Sequence, residues 1–163
     1  MSTALPDLRQ LQAGDAPALL AFYNGLSPAT IRTFRPLREK TTLAVCEEIV
    51  AANQNRLGQR LDWVAWHVDA IVGWVFIYKL DRAQPELGLG ITDAFQGQGL
   101  GRALLDQLLR LAAQRALATV YLIVVNDNQR AIQLYHSRGF VTYDEQVDEI
   151  DQLTYLYMKK ELA

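Results

Sequence analysis

The residues best suited to do chemistry in this sequence are the glycines of Gln96-Gly97-Gln98-Gly99-Leu100-Gly101-Arg102, because a helical pattern begins within the same segment. The first amides of a helix have no internal partners, and the helix dipole adds partial positive charge there. Glycine removes the Cβ atoms that would hold an anion away from those amides. Such a turn opening onto a helix suits a diphosphate, the alternative being a turn that is only flexible. Spacing weakens two familiar nucleotide readings. A P-loop requires Lys-Ser or Lys-Thr after its last glycine, whereas Gly101 precedes Arg102-Ala103. In the dinucleotide pattern G-x-G-x-x-G, a start at Gly97 puts Arg102 where the third glycine belongs, and a start at Gly99 fails as well.

Acid–base candidates are few. Tyr135 carries a phenol that either donates a proton or simply packs, and Glu86 is a carboxylate at the head of a strand. His67, within a strand pattern, reads as a packing residue, while His136 follows Tyr135 on a helix and points away from it. Cys46 stands alone, which excludes an internal disulfide and offers no metal cluster, so no metal is expected. Asp144, Glu145, Asp148, Glu149 and Asp151 form an acidic stretch, either a solvated loop or a field that draws in a cationic amine. Trp63, Trp66 and Trp74 read as core and sheet residues.

The elements that must position these groups follow from periodicity. Leu5 to Leu11 forms a first strand, confined by Pro6 to a sheet edge or start. Asp15 caps a helix that ends at Gly25, a loop runs from Ser27-Pro28 to Arg35-Pro36, and Thr41 or Thr42 caps a second helix. Trp63–Val68 and Ile71–Tyr78 are β-branched and aromatic runs joined by Asp69-Ala70, the pattern of a hairpin. Glu86–Thr92 is a strand in which Gly88 and Gly90 share one face, marking a bulge or the close approach of another group. After the glycine turn, Leu104, Leu108, Leu111 and Ala112 give a helix over Leu100–Arg115 one apolar stripe. Thr119–Val125 reads as a strand buried on both faces. Asn128–Arg138 is a short helix closed by Gly139, and Phe140–Glu145 and Leu153–Lys160 are the last strands. This order describes an α/β (α+β) domain with a mixed sheet.

The chain has 163 residues and no internal repeat or low-complexity linker, so residues 1–163 are expected to form a single domain. A net charge of −2, with Lys and Arg scattered, leaves no basic footprint for nucleic acid. Met1 to Asp7 lack the features of a secretory signal and no apolar run approaches a membrane span, so no membrane partner is expected and the cytoplasm is the expected compartment.

Two segments carry a resemblance. Gln96, Gly99 and Gly101 meet the Q/R-x-x-G-x-G/A signature of the GCN5-related N-acetyltransferase (GNAT) family. Asn128, Ala131, Leu134, Tyr135, Gly139 and Phe140 resemble that family's N-x-x-A-x-x-L-Y-x-x-x-G-F element, and Leu87 to Phe95 resembles its fourth strand and exit loop. The resemblance covers about Glu86 to Phe140, with the flanking element order in agreement. It implies a mostly antiparallel sheet splayed between strands four and five, with flanking helices. Acetyl-CoA is the implied co-substrate. Its pantetheine arm would pair with the backbone of Ile91 and Thr92, and its pyrophosphate would meet the amides of Gln98, Gly99, Leu100, Gly101 and Arg102 beside Gly97. Gln96 would support the loop, and Asn128 would lie near the pantetheine or act only as a helix N-cap, or both.

The implied reaction is direct attack of a primary amine on the thioester within a ternary complex. Tyr135 would protonate the leaving thiolate, and Glu86 would take the amine's proton directly or through water. Some relatives use a glutamate on strand five, where this chain has Ile123. Arg32, Phe34 and Arg35 are placed to line the acceptor entrance or to form an ordinary surface loop. A non-catalytic acyl-CoA-binding sensor or interaction module is the alternative function, and either a monomer or a homodimer is compatible with the sequence.

Overall fold

The computed structural model describes residues 5–54 and 58–162. Met1 to Ala4, part of the segment read for a secretory signal, lie outside the described residues. The elements are β1 (Asp7–Gln10), α1 (Ala16–Asn24), α2 (Pro28–Thr33), α3 (Leu43–Gln54), β2 (Arg60–His67), β3 (Ala70–Tyr78), β4 (Glu86–Ile91), α4 (Leu100–Gln114), β5 (Thr119–Val125), α5 (Gln129–Ser137), β6 (Val141–Val147) and β7 (Thr154–Glu161), with one 3₁₀ turn at Asp93–Phe95. They build a seven-stranded sheet in the order β1-β2-β3-β4-β5-β7-β6. Every pairing is antiparallel except β4 with β5. β1 takes the edge position to which Pro6 points.

The parallel pair is short. Glu86 and Leu87 lie opposite Tyr121 and Leu122, and beyond them β4 and β5 part. Helices cover both faces of the sheet but not equally. On one face Leu104, Leu105, Leu108 and Ala112 of α4 pack with Ile132 and Tyr135 of α5 against Leu87, Val120, Leu122 and Met158. On the other, Leu19 and Tyr23 of α1, Phe34 just after α2 and Cys46 of α3 pack against Val64, Trp74 and Phe76. α1 and α3 reach β3 and β2 but leave β5 uncovered on their side. Ile123 is therefore 42% exposed, which corrects the reading of β5 as buried on both faces: only the side carrying Val120, Leu122 and Val124 has a helical partner. Burial also pushes the Cys46 thiol up, so it stays protonated in the core.

Two local readings change, and a third becomes specific. The segment after Ser27, expected as a loop, contains helix α2: Ser27 Oγ accepts the Thr30 N–H at 3.2 Å and Pro28 fills the first helical position. Asp15 holds the N-cap position of α1 without capping it by its side chain. Its buried carboxylate instead receives both Arg9 guanidinium nitrogens, at 3.1 and 3.2 Å, and the Gln12 N–H at 2.8 Å, tying β1 to α1. The glycines of β4 admit aromatic rings: a Cβ at Gly88 would collide with Phe76, and one at Gly90 with Phe34.

Candidate active site

The gap between β4 and β5 is bounded by strand backbone that does not pair across it. Thr92 N–H donates to Val72 O at 2.9 Å, so Thr92 belongs to a hydrogen-bonded pair with β3. Because antiparallel pairing alternates, Gly90 and Gly88 also bond to β3, while the backbone groups of Leu87, Leu89 and Ile91 point toward β5. Leu87 lies in the paired stretch, which leaves Leu89 and Ile91 facing the gap. Of the two positions expected to face the gap, Ile91 does so, whereas the N–H of Thr92 bonds to Val72 O; Leu89 also faces the gap. Register decides this, and no local sequence pattern carries it.

At the end of the gap, Gly97 (φ +73°) and Gly99 (φ +85°) hold left-handed conformations, and Gly99 is the N-cap of α4. Beyond its chain neighbours, no atom of the described residues lies within 4 Å of the point where a Gly99 Cβ would sit, and Gly99, Gly101 and Arg102 border the open space before α4. Gln96 braces the turn, its Nε2 donating to Ile91 O at 3.0 Å and to Thr30 Oγ1 at 3.1 Å. The gap and the turn form one cleft of about 800 Å³. Of the residues singled out in the sequence, Ile91, Gln96, Gly97, Gly99, Gly101, Arg102, Asn128 and Tyr135 line it. Thr92, Gln98, Leu100 and Glu86 do not. Gln98 donates through Nε2 to Ala94 O at 2.9 Å, and the Leu100 side chain is buried in the core.

Helix α5 supplies the opposite wall. Asn128 has both expected roles available, since Oδ1 accepts the Ala131 N–H at 3.3 Å while the residue lines the cleft. Tyr135 is buried, with its ring edge-on to Phe140 at 5.7 Å between centroids. Burial pushes its phenol well above the ordinary value, so it remains a neutral donor at neutral pH. Glu86 lies at the end of β4 remote from the glycine turn, and its carboxylate accepts a hydrogen bond from the Tyr78 phenol. His67 packs against Phe95, with ring centroids 5.0 Å apart, and His136 Nδ1 lies 3.2 Å from Phe140 O.

The acidic stretch is largely occupied with its own turn. Asp148 accepts the Ile150 and Asp151 N–H groups at 2.7 and 3.1 Å, and Asp144 accepts Gln146 Nε2 at 2.9 Å. Asp151 accepts the Tyr155 phenol at 2.5 Å and pairs with Arg35 at 3.1 Å. Arg32 pairs with Asp127 at 2.8 Å, so two ion pairs tie the α2 region to the loops across the cleft.

Sequence reasoning missed Arg130. Its guanidinium lies 3.6–3.7 Å from the Cβ position of Gly97, and it lines the cleft. The available signal was its place in the first turn of α5, directly after β5 leaves the sheet. α2 was missed too; Ala29, Thr30 and Thr33 contribute to the lining.

Comparison with known proteins agrees with this geometry. A mycothiol acetyltransferase of Streptomyces bingchenggensis is 29% identical over 166 residues, covering 87% of this chain and 53% of that protein. The chain thus spans about half the length of the curated relatives it matches. An acetyltransferase of the GNAT family from Streptococcus pneumoniae has a TM-score of 0.82 at 25% identity, with 98% of this chain and 100% of that one covered. YncA from Salmonella typhimurium, solved with its cofactor acetyl-CoA, shares the fold with a TM-score of 0.82 at 22% identity, covering 99% and 95% of the two chains. The model of the acetyltransferase (GNAT) family matches residues 22–140, and with that match this chain belongs to the GNAT family.

Proposed function

We propose that residues 1–163 act as one N-acetyltransferase domain that moves an acetyl group from acetyl-CoA to a primary amine. One observation carries the reading: β4 and β5 separate into a cleft that ends on the unpaired amides of α4, with glycine where side chains would intrude. A strand-like pantetheine arm finds hydrogen-bonding groups at Leu89 and Ile91, and a diphosphate finds the amides from Gly99 to Arg102. The acetyl-CoA bound to YncA supports the same choice of ligand.

In this reading the bound amine attacks the thioester carbonyl, the C–S bond breaks, and Tyr135 protonates the departing sulfur. Binding of acetyl-CoA and CoA but not ATP, followed by acyl-dependent thiol release across a panel of amines, is the expected result. Binding without thiol release from any amine would make the protein a sensor of acyl-CoA instead.

Arg130 adds a guanidinium to the phosphate end. Its replacement by alanine is expected to raise the KM for acetyl-CoA about tenfold with kcat nearly unchanged, the loss of one charge-assisted contact. Initial rates at varied acetyl-CoA check this, and a loss confined to kcat would remove Arg130 from phosphate binding.

A further inference from the structure

We propose that the acceptor is an amine of low basicity, an α-amino group rather than a lysine side chain or a polyamine; the inference rests on the acetyl-transfer reading above. The charged residues of the cleft wall are Arg102 and Arg130, both at its phosphate end. Toward α2 the wall is Ala29, Thr33, Phe34, Gly88, Gly90 and Ile123. Among the described residues, no carboxylate and no imidazole lines the cleft.

The acids beside the wall are already engaged. Glu86 accepts the Tyr78 phenol, Asp93 accepts Thr30 Oγ1 at 2.6 Å, and Asp127 and Asp151 hold Arg32 and Arg35. Hydrogen bonds from Ser27 and Thr30 hold Asp93 below the usual carboxylate range, one from Arg32 does so for Asp127, and one from Tyr155 for Asp151. Each is a weaker base for it. Also on this side are the phenols of Tyr121, Tyr143, Tyr155 and Tyr157, the Asp144 carboxylate, which accepts from Gln146, and the ammonium of Lys159 over Tyr143. His67 and His136 are turned to Phe95 and Phe140 O.

A protonated amine entering this wall meets no carboxylate or imidazole in the lining itself, and burying an unpaired ammonium is costly. The productive species is then the fraction already neutral in water. At pH 7 that fraction is roughly 10–15% for an α-amino group and about 0.04% for a lysine side chain, a ratio of about 300. The protons balance without an enzyme base. The neutral nitrogen forms the C–N bond, the C–S bond breaks, Tyr135 gives its proton to sulfur, and the proton shed by the new amide nitrogen returns to the Tyr135 oxygen through water.

The test uses the whole chain, acetyl-CoA and one peptide sequence in two forms, one with its α-amine free and its lysine blocked, the other reversed, with spermidine as a third acceptor. At pH 7, kcat/KM for the free α-amine is expected to exceed both others by at least about 30-fold. Its pH profile should rise with unit slope, level near the acceptor's own pKa, and move when the acceptor pKa is changed. In the Ile123→Glu variant, which puts a carboxylate on the bare wall, the lysine form should gain at least about tenfold more than the α-amine form. Equal turnover of lysine or spermidine at pH 7, or a profile whose plateau ignores the acceptor pKa, overturns the inference while leaving acetyl transfer standing. Turnover of no amine at all overturns acetyl transfer and the inference together.

Discussion

Replacing Tyr135 with phenylalanine is expected to lower kcat about 100-fold while changing the KM for acetyl-CoA less than about threefold. The ring is buried among Ile132, Phe140 and the strands beneath α5, and phenylalanine keeps that ring and its packing. The fold should therefore be preserved, leaving the missing proton as the difference. Because burial raises the phenol, the donor stays protonated past its ordinary titration, and the wild-type rate should not fall through pH 10 by loss of this proton. A donor thioester whose thiol is more acidic needs less help in leaving, so it should narrow the gap between wild type and variant. Steady-state rates with two thioesters check this. An unchanged kcat, or an equal deficit with both donors, would leave Tyr135 as packing alone.

The second large effect is expected at Gly99. Valine there must adopt φ near +85°, a conformation that costs a β-branched residue about 1–3 kcal/mol. In a domain of this size that corresponds to a fall of roughly 3–10 °C in Tm. The side chain also enters the open space before the α4 amides, so the Kd for acetyl-CoA should rise by at least about 100-fold. Strain and obstruction can be separated. Asparagine tolerates the left-handed region, so Gly99→Asn should keep Tm within about 2 °C yet still weaken binding about tenfold. Calorimetric titration of both variants with acetyl-CoA decides the matter, and normal binding by either would detach the turn from the diphosphate.

What was legible in the sequence was local. The glycine turn running onto α4, the cap at Asn128, the phenol of Tyr135 on α5 and the edge position of β1 depend on neighbours within a few residues. Helix starts, caps and proline restrictions act over that range. The Ser27-Pro28 start of α2 was equally local; its short run carried too little periodicity to be read as a helix.

Tertiary structure decided the rest. Whether Leu89 or Thr92 offers its backbone to the gap depends on the β3–β4 register, where a slip of one residue exchanges the two sides. Ile123 is exposed because it faces the cleft, although its strand is apolar in sequence. Arg130 meets Gly97, and Phe34 and Phe76 press on Gly90 and Gly88, through packing between segments distant in the chain. The residue types able to hold a diphosphate and give up a proton were set by the sequence itself. Which backbone groups and charges face the substrate was set only when the strands paired, because pairing determines the direction of every N–H and side chain along them.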